Sequence, residues 1–363
     1  MSDLTILDNR TYAVSDLTTK YKEFVAPAFQ ILIDGQDLKE SHLIIHNLTI
    51  ENSLDKADSF SFRVVNAFSP LIKQFQLANI AIGKEIEIKP GYVDVLETVF
   101  KGYITSLRYE LTPEEETTVV VSGMDKSFKL MKGVKSRVFK DVKDSDVASQ
   151  LISEGGLTAK VDSTSIVYTT LQQVAVSNYQ FLRWLAERNG YEFFVSGDQA
   201  HFRKPPSAGS SSVTLVWGQT LLSLYLEDDI SDQTGTVKVR SWDPQTKAAL
   251  LGVSGSISKI GSGDDGTALL NKLLGKVEDN YFSEARTQNQ LEIEAKAIKD
   301  RSAMKLVSGE ATCIGMPEIR AGKFIQLSGL GSELSQQYYV LSARHCIDES
   351  GYTTTISIGG NAI

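Results

Sequence analysis

From Phe29 onward the chain alternates apolar with polar residues. FQILIDGQDL sets an Asp34-Gly35 pair between apolar positions, and that dipeptide supplies the positive φ angles of a tight hairpin turn. The runs LIIHNLTIEN, DSFSFRVVN, GKEIEIKPGYV, ETVFKGYITSLRYEL and TTVVVSGMD follow, each bounded by Gly, Pro, Asn or Asp. Strands of this length at close spacing, with no long helix among them, predict an antiparallel sheet that closes into a barrel or sandwich over about Phe29 to Leu130.

The period then lengthens. DSDVASQLISEGGL predicts a helix capped by Asp144 or Ser145, with Val147, Leu151 and Ile152 on one face and Gly155 or Gly156 as its end. SNYQFLRWLAERNGYEFFV predicts a second, with Ser177 or Asn178 as cap, Phe181, Leu182, Leu185 and Ala186 inward, and Gly190 as the stop. KPPSAGSSS, Lys204 to Ser212, has the composition of a linker. Strands resume in VTLVWG, LLSLYLE, TGTVKVRSWD and AALLGVSGSISKI. Gly263 to Met304 is helical by pattern, with Ala285, Leu291, Ala295 and Ile298 between charged positions. VSGEATCIGM, GKFIQLSGL, YYVLSARHCID and GYTTTISIGG return to strand. The predicted class is α+β, mainly β. Its parts are an N-terminal arm over 1–28, a first β-barrel domain over 29–135, a small α/β segment over 136–205, and a second β-barrel domain over 206–363 with a helical insertion at about 263–304. The arm is polar and weakly periodic, and is expected to be ordered only by contact with something else.

The stretch ISKIGSGDDGTALLNKLL, Ile257 to Leu274, spells G-x-G-x-x-G through Gly261, Gly263 and Gly266. A dinucleotide site with this spacing needs a parallel βαβ unit around it. Here the helix reads as an insertion inside an antiparallel domain, and Asp264 and Asp265 would repel phosphates. The pattern is therefore read as a flexible loop whose acids favour the helix N-terminus that follows, and no cofactor is expected.

With 363 residues, 42% hydrophobic and 23% charged, the chain suffices for two or three domains with their own cores. A net charge of -8 without a basic block argues against nucleic-acid backbone binding. Lys129 to Lys143 is locally basic, but apolar and turn residues interrupt it, as on a solvated face. Two cysteines, Cys313 and Cys346, without a C-x-x-C or Cys/His cluster suit a reducing compartment and predict no structural zinc. MSDLTILDNRTYAV has no basic region followed by an apolar core, so a protein made and kept in water without a signal peptide, or leaving by another route, is expected, and no stretch has the length of a membrane span.

Candidate chemistry is sparse. His345 lies beside Cys346 and near Asp348, but neighbours on a strand point to opposite faces, and His345 is read as a partly buried structural residue sharing a face with Tyr339, Leu341, Ala343 and Ile347. His42 and His46 share a strand face without a third ligand nearby. PEEETT, Pro113 to Thr118, reads as an acidic hairpin loop. Trp184, Trp217 and Trp242 fit core or interface positions. No catalytic, metal or cofactor-binding residue is assigned.

In this order, GKEIEIKPGYVDVLETVFKGYITSLRYEL, VVVSGMDKSFKLMKG, NYQFLRWLAERNGYEFFV, LVWGQTLLSLYLE, VKVRSWDPQTKAAL and GKFIQLSGLGSELSQQYYVLSARHCIDESGYTTTISIGG resemble the phage late control gene D family and the hub half of valine-glycine repeat (VgrG) spikes, from about residue 29 to the C-terminus. The resemblance implies two tandem antiparallel tube-like β barrels in one chain and a homotrimer forming a pseudo-sixfold ring. That ring is the baseplate hub of a contractile phage tail, tailocin or injection system. It connects a hexameric tail tube or tube initiator protein to a trimeric spike, with baseplate wedge proteins as neighbours. It also implies a structural protein rather than an enzyme, no sequence-specific nucleic acid binding, and no membrane insertion of its own. Fused spikes continue past the second barrel where this chain stops at Ile363, so a separate spike is expected. Two other readings stay open: a carbohydrate-binding β module with Trp217 or Trp242 as sugar platforms, and a β-scaffold hydrolase using His345, Cys346 and the acidic loops.

Overall fold

A computed structural model describes residues 10–41, 43–112, 117–209, 212–244 and 246–363. Helix α1 (Val14–Lys20) precedes strand β1 (Pro27–Ile33). Leu17 of α1 and Tyr21, four residues apart and therefore on one face, are both buried in the main core. Tyr12 forms a backbone bridge to Val213. The segment from 10 to 24 is thus packed onto its own chain, since two well-placed apolar residues anchor it where periodicity is weak.

Asp34 and Gly35 take φ of 47° and 80°. Both are left-handed, as a two-residue hairpin turn with right-handed strand twist requires, and Ile33 comes to face Gln36. β2 (Ile44–Ser53), β3 (Ser59–Val65), β4 (Glu85–Tyr92), β5 (Phe100–Glu110) and β6 (Thr118–Asp125) coincide with the alternating runs. They pair antiparallel in the order β2-β3-β6-β5-β4-β1 and turn Leu48, Ile50, Phe60, Phe62, Ile86, Ile88, Val119 and Val121 inward.

The mixed segment contains β7 (Lys135–Lys143), α2 (Asp144–Glu154), β8 (Thr158–Val161), β9 (Val167–Val176), α3 (Asn178–Asn189), β10 (Glu192–Ser196) and β11 (Gln199–Arg203). Leu151 and Ile152 of α2 meet Phe181, Leu182 and Leu185 of α3 in a second core with Phe193 and Phe202. Helix α3 has a full capping box: the Ser177 hydroxyl accepts from the Gln180 N–H at 3.2 Å, and the Gln180 side chain accepts from the Ser177 N–H at 3.0 Å. Gly190 closes it at φ 65°. Helix α2 starts one residue earlier than expected, with Lys143 at the cap position, because the Asp144 carboxylate is buried and engaged by Arg188 and Asn189 of α3.

The remaining elements are β12 (Val213–Val216), β13 (Leu221–Asp228), β14 (Thr236–Asp243), β15 (Ala248–Val253), α4 (Gly266–Leu274), β16 (Glu278–Phe282), α5 (Gln288–Ala303), β17 (Val307–Ile314), β18 (Phe324–Ser328), β19 (Gln337–Asp348) and β20 (Gly351–Gly360). Six of these pair in the order β13-β17-β20-β19-β18-β12, which repeats the earlier order strand for strand. One polarity differs: β1 runs antiparallel to β4, whereas β12 runs parallel to β18. The two sets join where β2 pairs with β19, Ser53 facing Ser342 and Leu48 facing Ile347. One 14-stranded sheet results, and among the described residues no sheet closes on itself.

The stretch from 263 to 304, expected to be helical, also contains β16, which pairs parallel with β14. EDNYF has no period of its own. Pairing creates this strand, aided by the Asp279 carboxylate accepting the Gly235 N–H at 2.9 Å. β14, β15 and β16 form a small sheet, whose Val237, Val239 and Leu250 pack on Leu291 and Ala295 of α5. α5 in turn crosses α3, where a Cβ added at Gly190 would lie 3.1 Å from the Ala297 Cβ.

Replacing Ser177 by Ala removes the cap acceptor and is expected to lower the unfolding free energy by about 1 kcal/mol. Chemical denaturation followed by far-UV circular dichroism measures it.

Candidate functional site

Between β17 and β18 the chain reads GMPEIRAGK, which looks like a polar loop and is instead buried. Met316 and Ile319 lie in the main core, and Glu318 and Arg320 are 1% and 5% exposed. Arg320 donates to Asp58 at 2.6 Å, to the Val99 carbonyl at 3.4 Å and to the Val195 carbonyl at 3.4 Å. One guanidinium therefore ties the β2–β3 connection, the start of β5 and β10 to the second strand set. Asp58 also accepts from the Ser53 N–H at 3.0 Å and the Asn52 amide at 2.9 Å. Behind it, Asp125 accepts the Asp58 N–H at 2.9 Å and the Ser127 N–H at 2.8 Å. Burial raises the pKa of Asp58 against the pull of Arg320. Burial, then the adjacent Asp58 charge, pushes Asp125 up to about 7.

Glu318 anchors the N-terminal segment by accepting the Tyr21 hydroxyl at 2.7 Å and the Lys20 ammonium at 2.9 Å, while Lys20 also reaches Glu97 at 2.6 Å. The cavity at this junction, lined by Asn52, Thr98, Glu318 and Arg320 among others, measures about 10 Å³. That is the room of a single water and excludes an organic substrate. The cluster is a fastening.

The residues singled out for chemistry are dispersed. His345 is fully buried: its Nε2 donates to the Ile319 carbonyl at 3.1 Å, and its Nδ1 accepts from the Tyr352 and Thr354 hydroxyls at 2.9 and 3.0 Å. Burial drives its pKa down to about 3 and keeps it neutral. Ala343 and Ile347 share its face. Tyr339 and Leu341 do not, because a bulge between Val340 and Ser342 inserts Leu341 and reverses the alternation upstream; these two pack with Phe324 and Ile260. Cys346 points the other way, with Sγ 3.6 Å from Asp348. Cys346 and Cys313 are both free thiols. His46 lies 3.8 Å from Glu349, while His42 and the acidic loop at 113–116 fall outside the described residues. Trp184 stacks between Phe181 and Arg188, and Trp217 and Trp242 are half-exposed. Among the described residues no group of three or more His, Cys, Asp or Glu could hold a metal ion, and no helix is long and apolar enough to cross a membrane.

The G-x-G-x-x-G glycines meet protein rather than phosphate. A Cβ on Gly261 would lie 2.3 Å from the Gln336 side chain, one on Gly263 2.2 Å from the Ile363 carbonyl, and one on Gly266 2.0 Å from Gln233. Asp264 pairs by backbone with Ile363 in both directions, at 2.9 and 3.0 Å. Asp265 caps α4 by accepting the Ala268 N–H at 2.8 Å. Asp265 favours the helix N-terminus as expected, whereas the Asp264 carboxylate pairs with Lys272, and the loop, expected to be flexible, is pinned on both sides.

Recognition surface is offered instead by backbone. Among the described residues the outer edge of β13 has no neighbouring strand, and the Thr105–Glu110 half of β5, paired with β6 on one side, has none on the side where β4 covers Phe100–Tyr103. Unpaired edges of this kind are templates for another strand. Nothing in the alternation distinguishes a paired edge from an unpaired one.

Residues 24–349 match the family described as the Alg8 N-terminal domain, and the chain belongs to that family. No curated protein matches it by sequence. Among solved structures it is similar to the 43 kDa tail protein of prophage MuSo2 from Shewanella oneidensis (TM-score 0.69, 14% identity, 91% of this chain and 97% of that one). It is also similar to the tail protein from Neisseria meningitidis MC58 (0.67, 13%, 92% and 96%). A third is the E. coli c3393 protein, described as a type VI secretion component with structural similarity to T4 bacteriophage tail proteins gp27 and gp5 (0.59, 9%, 92% and 77%). At these identities the fold is what is shared.

Arg320→Met leaves the Asp58 carboxylate buried without its partner and is expected to cost about 3–5 kcal/mol, with much of the loss recovered in Asp58→Asn/Arg320→Met. Urea titrations of the three proteins test this. Asp125 has its pKa raised on folding, so the native state binds more protons than the unfolded one between about pH 4 and pH 7. Its contribution to stability therefore falls as pH rises through that window. Wild type should lose stability relative to Asp125→Asn from pH 4 to pH 7, by at most about 4 kcal/mol at about 1.4 kcal/mol per pH unit. Buried His345 titrates with the opposite sign in both proteins and cancels in the comparison.

Proposed function

We propose that this protein is a structural subunit of a contractile tail or injection system: a baseplate hub that works as a homotrimer, joining a hexameric inner tube to a trimeric spike. The observation carrying the proposal is the doubled strand order, two six-strand sets in one chain, within a fold shared with phage tail proteins and a type VI secretion component over more than nine-tenths of this chain. Three copies of a doubled unit place six similar units in a ring, so one face can meet sixfold and the other threefold symmetry.

In this reading the strand sets are two tube-like barrels at 29–135 and 206–363 that complete themselves in the assembly, with the mixed segment at 136–205 between them. The role is mechanical. A water-sized cavity at the buried junction and a neutral, fully hydrogen-bonded His345 support adhesion rather than turnover. Tube, spike and wedge proteins are the expected partners, and the assembled particle is the expected location.

Native mass of the purified chain, with and without candidate spike protein, followed by negative-stain imaging, tests the proposal. A particle of three chains seen as a ring with six lobes is expected. A monomer under both conditions would sink it.

A further inference from the structure

The doubled topology lets one half serve as a template for the other. In the first set Ser122 of β6 faces Ser106 of β5 on one side and Ser61 of β3 on the other. In the second set Ser357 of β20 faces Ser342 of β19 and Glu310 of β17. Immediately beyond each, a bulge inserts one residue, Thr105 in β5 and Leu341 in β19. Ser106 therefore corresponds to Ser342, and counting along the strand Arg108 corresponds to Arg344. Ser61 corresponds to Glu310. Since Thr49 faces Ser61 and Tyr225 faces Glu310, Thr49 corresponds to Tyr225 and Glu51 to Glu227.

One copy of the resulting junction already exists within the chain. β19 is paired with β18 through residues 337–339 and with β2 through residues 342–347. Arg344 faces Glu51 across that second ladder, with a nitrogen-to-oxygen distance of 3.9 Å. In the first set β5 is paired with β4 through Phe100–Tyr103, and on that same side the half that follows the bulge has no strand partner among the described residues, its other side being paired with β6. The strand equivalent to β2 is β13, which has no strand partner on its outer edge. Both halves of a second junction are present and are not joined to each other, with six strands between them in the sheet order.

Burial tells the same story. At the junction that is made, Leu48 and Ile50 are each 1% exposed and His345 is 1% exposed. At the equivalent positions where it is not made, Leu224 and Leu226 are only half-buried, and Tyr109 and Leu111 are 47% and 55% exposed. Leu224, Leu226 and Tyr109 lie on the core face of their strands and are only partly covered, the two leucines at the margin of the main core and Tyr109 against Phe75 at 4.8 Å.

We propose that the edge of β13 in one copy of this chain pairs antiparallel with Thr105–Glu110 of β5 in the next copy, repeating the β2–β19 junction between molecules. The register transfers directly: Ser106 faces Asp229, Arg108 faces Glu227, Tyr109 faces Leu226 and Glu110 faces Tyr225. Charge supports it, because Arg108 and Glu227 are opposite in sign, exposed, and stand where Arg344 and Glu51 face one another. Each copy carries one edge of each kind, so the contact is head-to-tail, and in a trimer it closes into a ring. The assignment rests on the homotrimeric reading above and adds which strands make the interface.

Arg108→Glu sets like charges opposite one another, as does Glu227→Arg, and the double variant restores the pair with its sign reversed. By light scattering at micromolar concentration, each single variant is expected to lose the wild-type trimer by a shift of at least tenfold in association midpoint, and the double variant to regain it. A chain carrying Arg108→Cys and Glu227→Cys is expected to give reducible dimer and trimer bands that neither single cysteine gives. A trimeric wild type whose single charge variants associate normally, or whose cysteine pair fails to cross-link, overturns the edge assignment and leaves the trimer standing. A wild type that stays monomeric with and without spike protein overturns both.

Discussion

Asp58 and Arg320, 262 residues apart in sequence, meet at 2.6 Å in an interior where each side chain is more than nine-tenths buried. A buried charge without its partner costs several kcal/mol, whereas a well-packed apolar pair at such a site is often as stable, so the pair contributes specificity more than net stability. Only one docking of the segment 315–323 onto the β2–β3 connection satisfies it. Glu318 and Ile319 follow from that docking: Glu318 receives Tyr21 and Lys20, and the Ile319 carbonyl receives His345. The N-terminal segment, both strand sets and β10 are fixed together through one nine-residue loop.

The doubled strand order gives that fastening its consequence. The β2–β19 ladder makes the two sets one sheet, and the ion pair sets the sheet's geometry beside the ladder. A protein that carried two independent units on a flexible linker could not hold them at a fixed angle. Here a continuous ladder and a buried ion pair hold the angle, while among the described residues the outer edge of β13 and one side of Thr105–Glu110 stay unpaired.

The strands and helix ends were legible from residues one at a time. Alternation located β2 to β6 and β17 to β20 to within a few residues, Asp34-Gly35 located the first hairpin, and Ser177 and Gly190 marked the ends of α3. What stayed hidden depends on pairs. EDNYF becomes a strand only because β14 lies alongside, and the bulge at Leu341 is a property of the ladder, so it moved Tyr339 off the face that spacing gave to His345. The buried charges were hidden for a related reason: PEIRAGK has the composition of a solvated loop, and nothing local says that Arg320 will find Asp58. The repeat leaves only a scattered trace in the residues compared: Ser106 and Ser342, Arg108 and Arg344, and Glu51 and Glu227 agree, while Tyr109 stands where His345 does and Ser61 where Glu310 does.

The glycine motif belongs to the same physics. A phosphate site uses glycine because a side chain would hold the backbone away from the ligand, and here a side chain would hold it away from Gln336, Ile363 and Gln233. The need for close backbone approach is shared, and only the object approached differs. The two aspartates decide between the objects. Asp264 gives its backbone to Ile363 and Asp265 its side chain to the start of α4, so negative charge occupies the very helix N-terminus that an anionic ligand would require. A spacing rule reads the glycines; the residues between them say what the glycines are for.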